Sequence, residues 1–346
     1  MRAVVYDAYG ATPEVREVPV PVCPTDGVVV TVGATGVCRS DWHAWRGHDP
    51  VPLPMTPGHE LAGTIAAVGP EVTRWAVGDR VTVPFVLGCG RCATCRAGDQ
   101  HVCPDQQQPG FTFPGSWADQ VAVPAADANV VRLPDSVDVV AAASLGCRFA
   151  TSFRALMTHG QVQQGQTVVV HGCGGAGLSA VMIAVALGAT VVAVDPGAEA
   201  RRRAAELGAE VVDPAGIDLV AHLRELTEGG PHVSLDAVGH PAVAAASVAS
   251  LRRRGRHVQV GLLLGDAARA GLPMDLVVAR ELQVLGSHGM PAGEYPAMLA
   301  MISAGTLDPR RLVGSVITLD EAPAALAALD DPSAAAGITV VELQEG

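Results

Sequence analysis

Two rhythms of apolar positions divide this chain. In its first 150 residues, short Val-rich runs at Val28–Val32, Ala62–Val68 and Arg80–Val83 lie between turn signals such as Pro24-Thr25-Asp26-Gly27 and Val77-Gly78-Asp79. Runs of that length bounded by Gly and Pro predict strands, and together they predict a compact all-β unit. From Thr167 onward the pattern changes. An apolar β-branched run at 167–171 predicts a strand, 176–187 a helix and 190–194 a second strand. Helix 198–207, strands 210–212 and 233–238, helix 241–251, and strands 256–262 and 281–286 follow. Strands alternating with helices predict a parallel, doubly wound sheet, so the fold class is α/β. The last segment carries an alanine-rich helix, 322–336, and ends in a strand, 338–343, expected to return to the first domain. No internal repeat is visible.

Composition sharpens this picture. With 346 residues there is enough chain for two domains with proper cores. All five Phe and all four Trp fall between residues 42 and 153, and no aromatic ring of Phe, Trp or Tyr occurs from Arg154 to Glu294. The net charge of −12 argues against a nucleic-acid or anionic-membrane partner. MRAVVYDAYG lacks the regions of a signal peptide, and the longest apolar stretch, Ala180–Val194, is interrupted by Gly188 and Thr190. A bilayer span needs about 20 residues, so a cytoplasmic protein is expected. All 23 basic residues are Arg. Schiff-base, pyridoxal-phosphate and P-loop chemistry need a lysine at the reacting centre, which excludes those classes within this chain.

Candidate chemistry begins with four cysteines, Cys89, Cys92, Cys95 and Cys103. So close together, they can converge on one tetrahedral Zn²⁺, a closed and therefore structural site. Two disulfides are the competing reading, disfavoured in a reducing compartment. After strand 167–171 comes Gly172-Cys173-Gly174-Gly175-Ala176-Gly177, a GxGxxG between a predicted strand and a predicted helix. Gly172 permits the turn, Gly174 lets backbone approach a pyrophosphate, and Gly177 lets helix and strand pack; the helix amides, from Gly175 on, face the phosphates. Asp195 ends the next strand. A carboxylate there accepts from ribose hydroxyls and repels a 2′-phosphate, favouring NAD over NADP. Arg201, Arg202 and Arg203 pull the other way unless they form a solvated helix face, the reading preferred here.

Four cysteines remain. Cys23 and Cys173 read as plain thiols. Cys38, His59 and Cys147 are too far apart in sequence for spacing to join them; singly, each is more often a buried residue than a ligand.

Taken in order, Cys38-Arg-Ser-Asp-x-His43, Gly58-His59-Glu60, the lobe 89–103, Cys147, the loop 172–177 and Asp195 resemble the zinc-dependent alcohol dehydrogenases of the medium-chain dehydrogenase/reductase superfamily, over essentially the whole chain. The resemblance implies a GroES-like catalytic β domain over 1–150 that includes the structural zinc lobe. It implies a Rossmann NAD-binding domain over 151–289 and a C-terminal return over 290–346. It also implies two Zn²⁺ per chain. Cys38, His59 and Cys147 would hold the catalytic zinc, the Cys₂His set by which alcohol dehydrogenases bind that ion. Asp41 would orient His59, with Glu60 behind the metal. Arg39 would meet the cofactor pyrophosphate and Thr151 flank the nicotinamide.

The implied activity is reversible, NAD-linked oxidation of a primary or secondary alcohol to aldehyde or ketone. Hydride would leave a zinc-held alkoxide, and the proton would pass from Ser40 through the nicotinamide ribose to His43. By the same comparison Phe85 lines the substrate pocket, with Trp45, Phe111, Phe113 and Trp117 as neighbours; equally, these rings could fill the β core. Cys147 and the full lobe argue against the polyol dehydrogenases, which usually have a carboxylate as third ligand. One departure is Ala334-Ala335-Ala336-Gly337-Ile338, where relatives often carry a basic residue for the pyrophosphate. The alternatives are an NADPH-preferring zinc-dependent aldehyde reductase and a non-enzymatic relative; the latter would be expected to lose ligands that this chain keeps. A homotetramer or homodimer is expected, pairing near Leu282–Gly286.

Overall fold

A computed structural model describes residues 1–269, 271–331 and 337–343. Two compact units emerge: Met1–Ala150 together with Gly289–Gly346, and Thr151–His288.

The first unit is built on antiparallel strands. A hairpin of β1 (Arg2–Val5) and β2 (Glu14–Glu17) stands beside a seven-stranded sheet. The spine of that sheet is β3 (Val28–Val37), flanked by β4 (Leu61–Val68), β6 (Gln120–Val123) and, at its far end, β15 (Ile338–Glu342). β5 (Arg80–Val83) and β7 (Val131–Arg132) extend one side, and β14 (Val313–Ile317) runs parallel to β15. Because β3 is paired almost throughout, its residues are nearly all buried instead of alternating. That explains why the sequence pattern located only its first half. Near the end of the chain, Thr339–Glu342 pairs antiparallel with Ala34–Val37.

The second unit is a six-stranded parallel sheet in the order β10-β9-β8-β11-β12-β13. The strands are β8 (Thr167–His171), β9 (Thr190–Val194), β10 (Glu210–Val212), β11 (Val233–Asp236), β12 (Arg256–Gln259) and β13 (Gln283–Gly286). This is the doubly wound order with its switch point between β8 and β11, where such sheets bind ligands at the carboxyl ends. The expected fold class holds.

Details differ from the sequence pattern. The helices Arg39–Trp45, Leu219–Leu226 and Met274–Ala279 were not expected. Leu219–Leu226 packs Leu223 fully inside, yet its eight residues carry too short an apolar stripe to stand out. Strand β13 starts two residues later than predicted, because Glu281 takes a left-handed φ of 49°. The C-terminal helix spans Ala322–Ala328, and residues 332–336 lie outside the described residues. Among the described residues no helix is long and apolar enough to cross a membrane.

Candidate functional site

The four lobe cysteines bring their sulfur atoms within 4.8 Å of one another. The closest pairs, Cys89–Cys95 at 3.9 Å and Cys92–Cys103 at 3.7 Å, are far beyond a disulfide bond, and all four are free thiols. Backbone amides of Cys92, Cys95 and Cys89 donate to the sulfurs of Cys89, Cys92 and Cys103, each at 3.4 Å. Such bonds favour thiolates; the amides of Arg91 and Cys92 pull the Cys89 thiol down to about 6. Four thiols this close cannot all ionise without a cation between them, so the donor set fits a tetrahedral metal. Asn129 anchors the root of the lobe, accepting from Gly88 N and donating to Gly88 O, both at 2.9 Å. Nothing in the sequence pattern singles out Asn129.

Tertiary structure joins what spacing could not. Cys38, His59 and Cys147 also place one ligand atom each within 4.8 Å of the others. Cys38 follows β3 and caps the helix Arg39–Trp45, His59 directly precedes the Glu60-β4 segment, and Cys147 sits in a π-helical turn, Leu145–Phe149. A π turn of this kind often marks a functional position. Asp41 ties the pieces together. Its Oδ2 accepts from Cys38 N at 2.9 Å, and its Oδ1 accepts from Gly58 N at 3.0 Å and meets His59 Nδ1 at 2.9 Å. The other imidazole nitrogen, Nε2, is buried with no hydrogen-bond partner. A buried lone pair beside two thiols is what a metal would satisfy. The thiols agree: Cys38 is drawn well below the ordinary range, first by neighbouring Cys147, while Cys38 pushes Cys147 well above it. One thiol ionises only at the other's expense, which a cation between them would relieve.

Glu60 is fully buried and does not face this cluster alone. Its carboxylate takes Arg148 N at 3.0 Å and Arg148 Nε at 3.2 Å, with a further contact to Nη2. Burial raises the Glu60 pKa, and Arg148 opposes that. Sequence reasoning missed Arg148, although its place next to Cys147 was a usable signal. Gly36 leaves room for the pair: a Cβ there would lie 2.2 Å from Glu60 Oε2.

Around these groups, Ser40 Oγ lies 3.8 Å from Cys38 Sγ. His43 Nδ1 is 3.2 Å from His48 Nδ1, and burial lowers the His43 pKa. Arg39 stacks over Trp42 at 5.0 Å and donates to Leu329 O. Phe85 and Phe111 set their rings edge-on to His59, at 6.0 and 5.3 Å. Phe111 also shares one buried core cluster with Trp45 and Trp117. Trp45 is buried with its N–H on Ala11 O, Trp117 is buried with its N–H on Gly36 O, and Phe113 packs on the sheet core.

In the second unit the loop Gly172–Gly177 follows β8. Gly172 has φ 87°, and a Cβ on Gly177 would lie 1.7 Å from Gly172 O, so both must be glycine. A Cβ on Gly174 would meet no protein atom, which leaves that position open to an approaching group. Gly174 caps the helix Gly175–Ala186 without a side chain, so the first amides have no side-chain capping acceptor. Asp195 accepts from Cys173 N and Gly197 N, both at 2.7 Å, so its carboxylate borders the loop. Arg201 pairs with Asp213 at 2.8 Å, Arg202 with Glu199 and Glu206, and Arg203 lies 3.9 Å from Glu199. Thr151 is buried, its carbonyl receiving Ser287 Oγ at 3.4 Å.

Comparison with known proteins gives the family. Residues 24–135 match the family model "Alcohol dehydrogenase GroES-like domain" and residues 175–304 match "Zinc-binding dehydrogenase". An alcohol dehydrogenase of Geobacillus stearothermophilus is 36% identical over 83% of this chain and 84% of its own length. An NAD-dependent alcohol dehydrogenase of Sulfurisphaera tokodaii is 30% identical over 96% of this chain and 97% of its own. The solved alcohol dehydrogenase TADH from Thermus sp. ATN1 superposes with a TM-score of 0.92 at 30% identity, covering 99% of this chain and all of that one.

Proposed function

The chain belongs to the zinc-type alcohol dehydrogenases of the medium-chain dehydrogenase/reductase superfamily, and from that premise we propose that it oxidises a primary or secondary alcohol reversibly to aldehyde or ketone with NAD. Alcohol dehydrogenases among its relatives support an alcohol dehydrogenase activity, and a sorbitol dehydrogenase 31% identical over 93% of this chain keeps polyols in the test. We assign Cys38, His59 and Cys147 to a catalytic zinc and the four lobe cysteines to a structural one, two ions per chain. The observation that carries this reading is His59: Nδ1 held by Asp41 at 2.9 Å, Nε2 buried and partnerless beside two thiols.

Bound zinc lowers the pKa of an oxygen ligand and the nicotinamide accepts hydride; the protein supplies the rest. Asp41 accepts from His59 Nδ1–H and so keeps the Nε2 lone pair free for the metal. Glu60 and Arg148 neutralise each other behind it. Ser40 Oγ, beside Cys38, takes the substrate proton and His43 releases it; a lowered pKa keeps its imidazole neutral and ready to accept at pH 7. Phe85 and Phe111, edge-on to His59, offer apolar surface beside it, suited to a carbon chain or ring. In the dinucleotide unit the loop 172–177 takes the pyrophosphate and Asp195 the adenosine ribose. Arg202, exposed and paired with Glu199 and Glu206, fits a solvated helix face, whereas Arg201 is half-buried, bound to Asp213 and donating to Asp195 O at 2.7 Å; the preference for NAD therefore rests on the Asp195 carboxylate.

The test is nicotinamide reduction by zinc-loaded protein over primary, secondary, aromatic and polyol alcohols, with NAD and NADP in parallel. Turnover with NAD on apolar alcohols is expected. Ser40→Ala should lower it by about 10²-fold or more with zinc content unchanged. NADP preference would overturn the Asp195 assignment, and full turnover in Ser40→Ala the proton path.

A further inference from the structure

In a protein of net charge −12, arginines gather at one end of the second unit. Arg252, Arg253, Arg254 and Arg256 line a cleft of about 560 Å³ with Gln166 and His232, and Glu281 is its one carboxylate. Glu281 lies 4.0 Å from Arg254, so at most one of the four guanidiniums is balanced there. The cleft is at the amino-terminal edge of the sheet. Gln166, His232 and Arg256 stand at the starts of β8, β11 and β12, whereas Gly172 follows β8. At about 3.3 Å per residue, the length of β8 separates cleft from loop by roughly 16 Å, so this is not the dinucleotide site.

Hydrogen bonding in the cleft is incomplete. Thr167 N points at His232 Nδ1 at 3.0 Å, and Arg252 Nη1 lies 2.6 Å from His232 Nε2. A neutral imidazole has one acceptor nitrogen, so a proton of the ring or of the guanidinium lacks a partner. Arg256 gives Nη2 to Gln166 Oε1 at 3.1 Å, but its Nε is buried with no partner. Unsatisfied donors around a concave cationic surface call for an acceptor-rich anion.

We propose that this cleft is a binding site for a phosphate dianion, free or as the monoester group of a small metabolite, held by Arg252, Arg256 and His232. Phosphate offers oxygens to both guanidiniums and to the ring at once. Burial, Arg252 and Arg256 at present lower the His232 pKa, in that order. A dianion between them reverses the field, so the ring reports occupancy.

The experiment follows the His232 ring resonance by NMR in the zinc-loaded protein with saturating NAD, which blocks the glycine loop. Inorganic phosphate and glycerol 3-phosphate are titrated separately against sodium chloride at equal ionic strength. A saturable shift and a raised His232 pKa are expected with at least one of them, and the stronger binder identifies the source. Arg252→Gln and Arg256→Gln should each weaken binding about tenfold or more while leaving NAD binding unchanged. A shift no larger than that caused by chloride, or equal affinity in both variants, would overturn the site.

Discussion

Asp41 shows how one side chain can organise a site. Its three contacts link the cap of a helix, the loop before β4 and the ring of His59. Asp41→Ala should therefore loosen the Cys38–His59–Cys147 metal about 10- to 100-fold and spare the lobe. Metal content after a mild chelator checks this: one ion per chain kept in the variant and two in the parent. Loss of both, or of neither, would contradict the assignment. Gly36 matters for a different reason. Gly36→Ala would drive a methyl into the buried Glu60–Arg148 pair and should destabilise the first unit by about 1–3 kcal/mol, read from denaturant unfolding. At this scale the four lobe cysteines stood out by their spacing, whereas Cys38, His59 and Cys147 were joined only by the family resemblance. Arg148, Asn129 and His48 did not stand out, since an arginine, an amide or an exposed histidine acquires a role only from its neighbours.

At the scale of elements, a polar chain runs through the interior of the parallel sheet. His171 Nε2 meets Ser234 Oγ at 3.2 Å, Ser234 meets Ser247 at 2.7 Å, and Ser247 meets His257 Nδ1 at 2.8 Å. From His257 it continues through Gln259 to Asp236, whose Oδ1 takes the amides of Val238 and Gly239. Burial depresses both histidines, His171 to about 3. A depressed folded pKa means that the unfolded chain binds the proton first. For His171 the stability is whole above about pH 6.5 and is lost as pH falls toward 3, at up to about 1.4 kcal/mol per pH unit, and His257 adds to the loss in the same direction. Unfolding free energy measured from pH 7 to 4 should show this slope, and His171→Asn should make it shallower. An unchanged slope would mean that His171 already titrates normally. The strands that carry these residues were read from their apolar β-branched runs; the polar chain was not, because alternate faces of buried strands look alike without their partners. Leu219–Leu226 escaped for want of length.

For the whole molecule, β13 pairs with β12 alone among the described residues. On that strand and on the helix Met274–Ala279 before it, Met274, Val278 and Val284 are exposed, Val278 by 76%. An apolar edge strand is an association surface, and we expect two copies to pair there. Val278→Glu with Val284→Glu should reduce the sedimenting species to a smaller one; an unchanged mass would place the interface elsewhere.

The chain by itself determined its two rhythms, its fold class, the lobe cysteines and the glycine loop. All of these are local: neighbouring residues share a period, a turn or a metal, and short separations leave few arrangements. Only the tertiary structure decided what lies far apart in sequence. It closed the distance from residue 38 to residue 147, gave Asp41 its partners, returned β15 to β3 and gathered four arginines around His232. Such meetings depend on how whole elements pack, and no spacing along the chain encodes them.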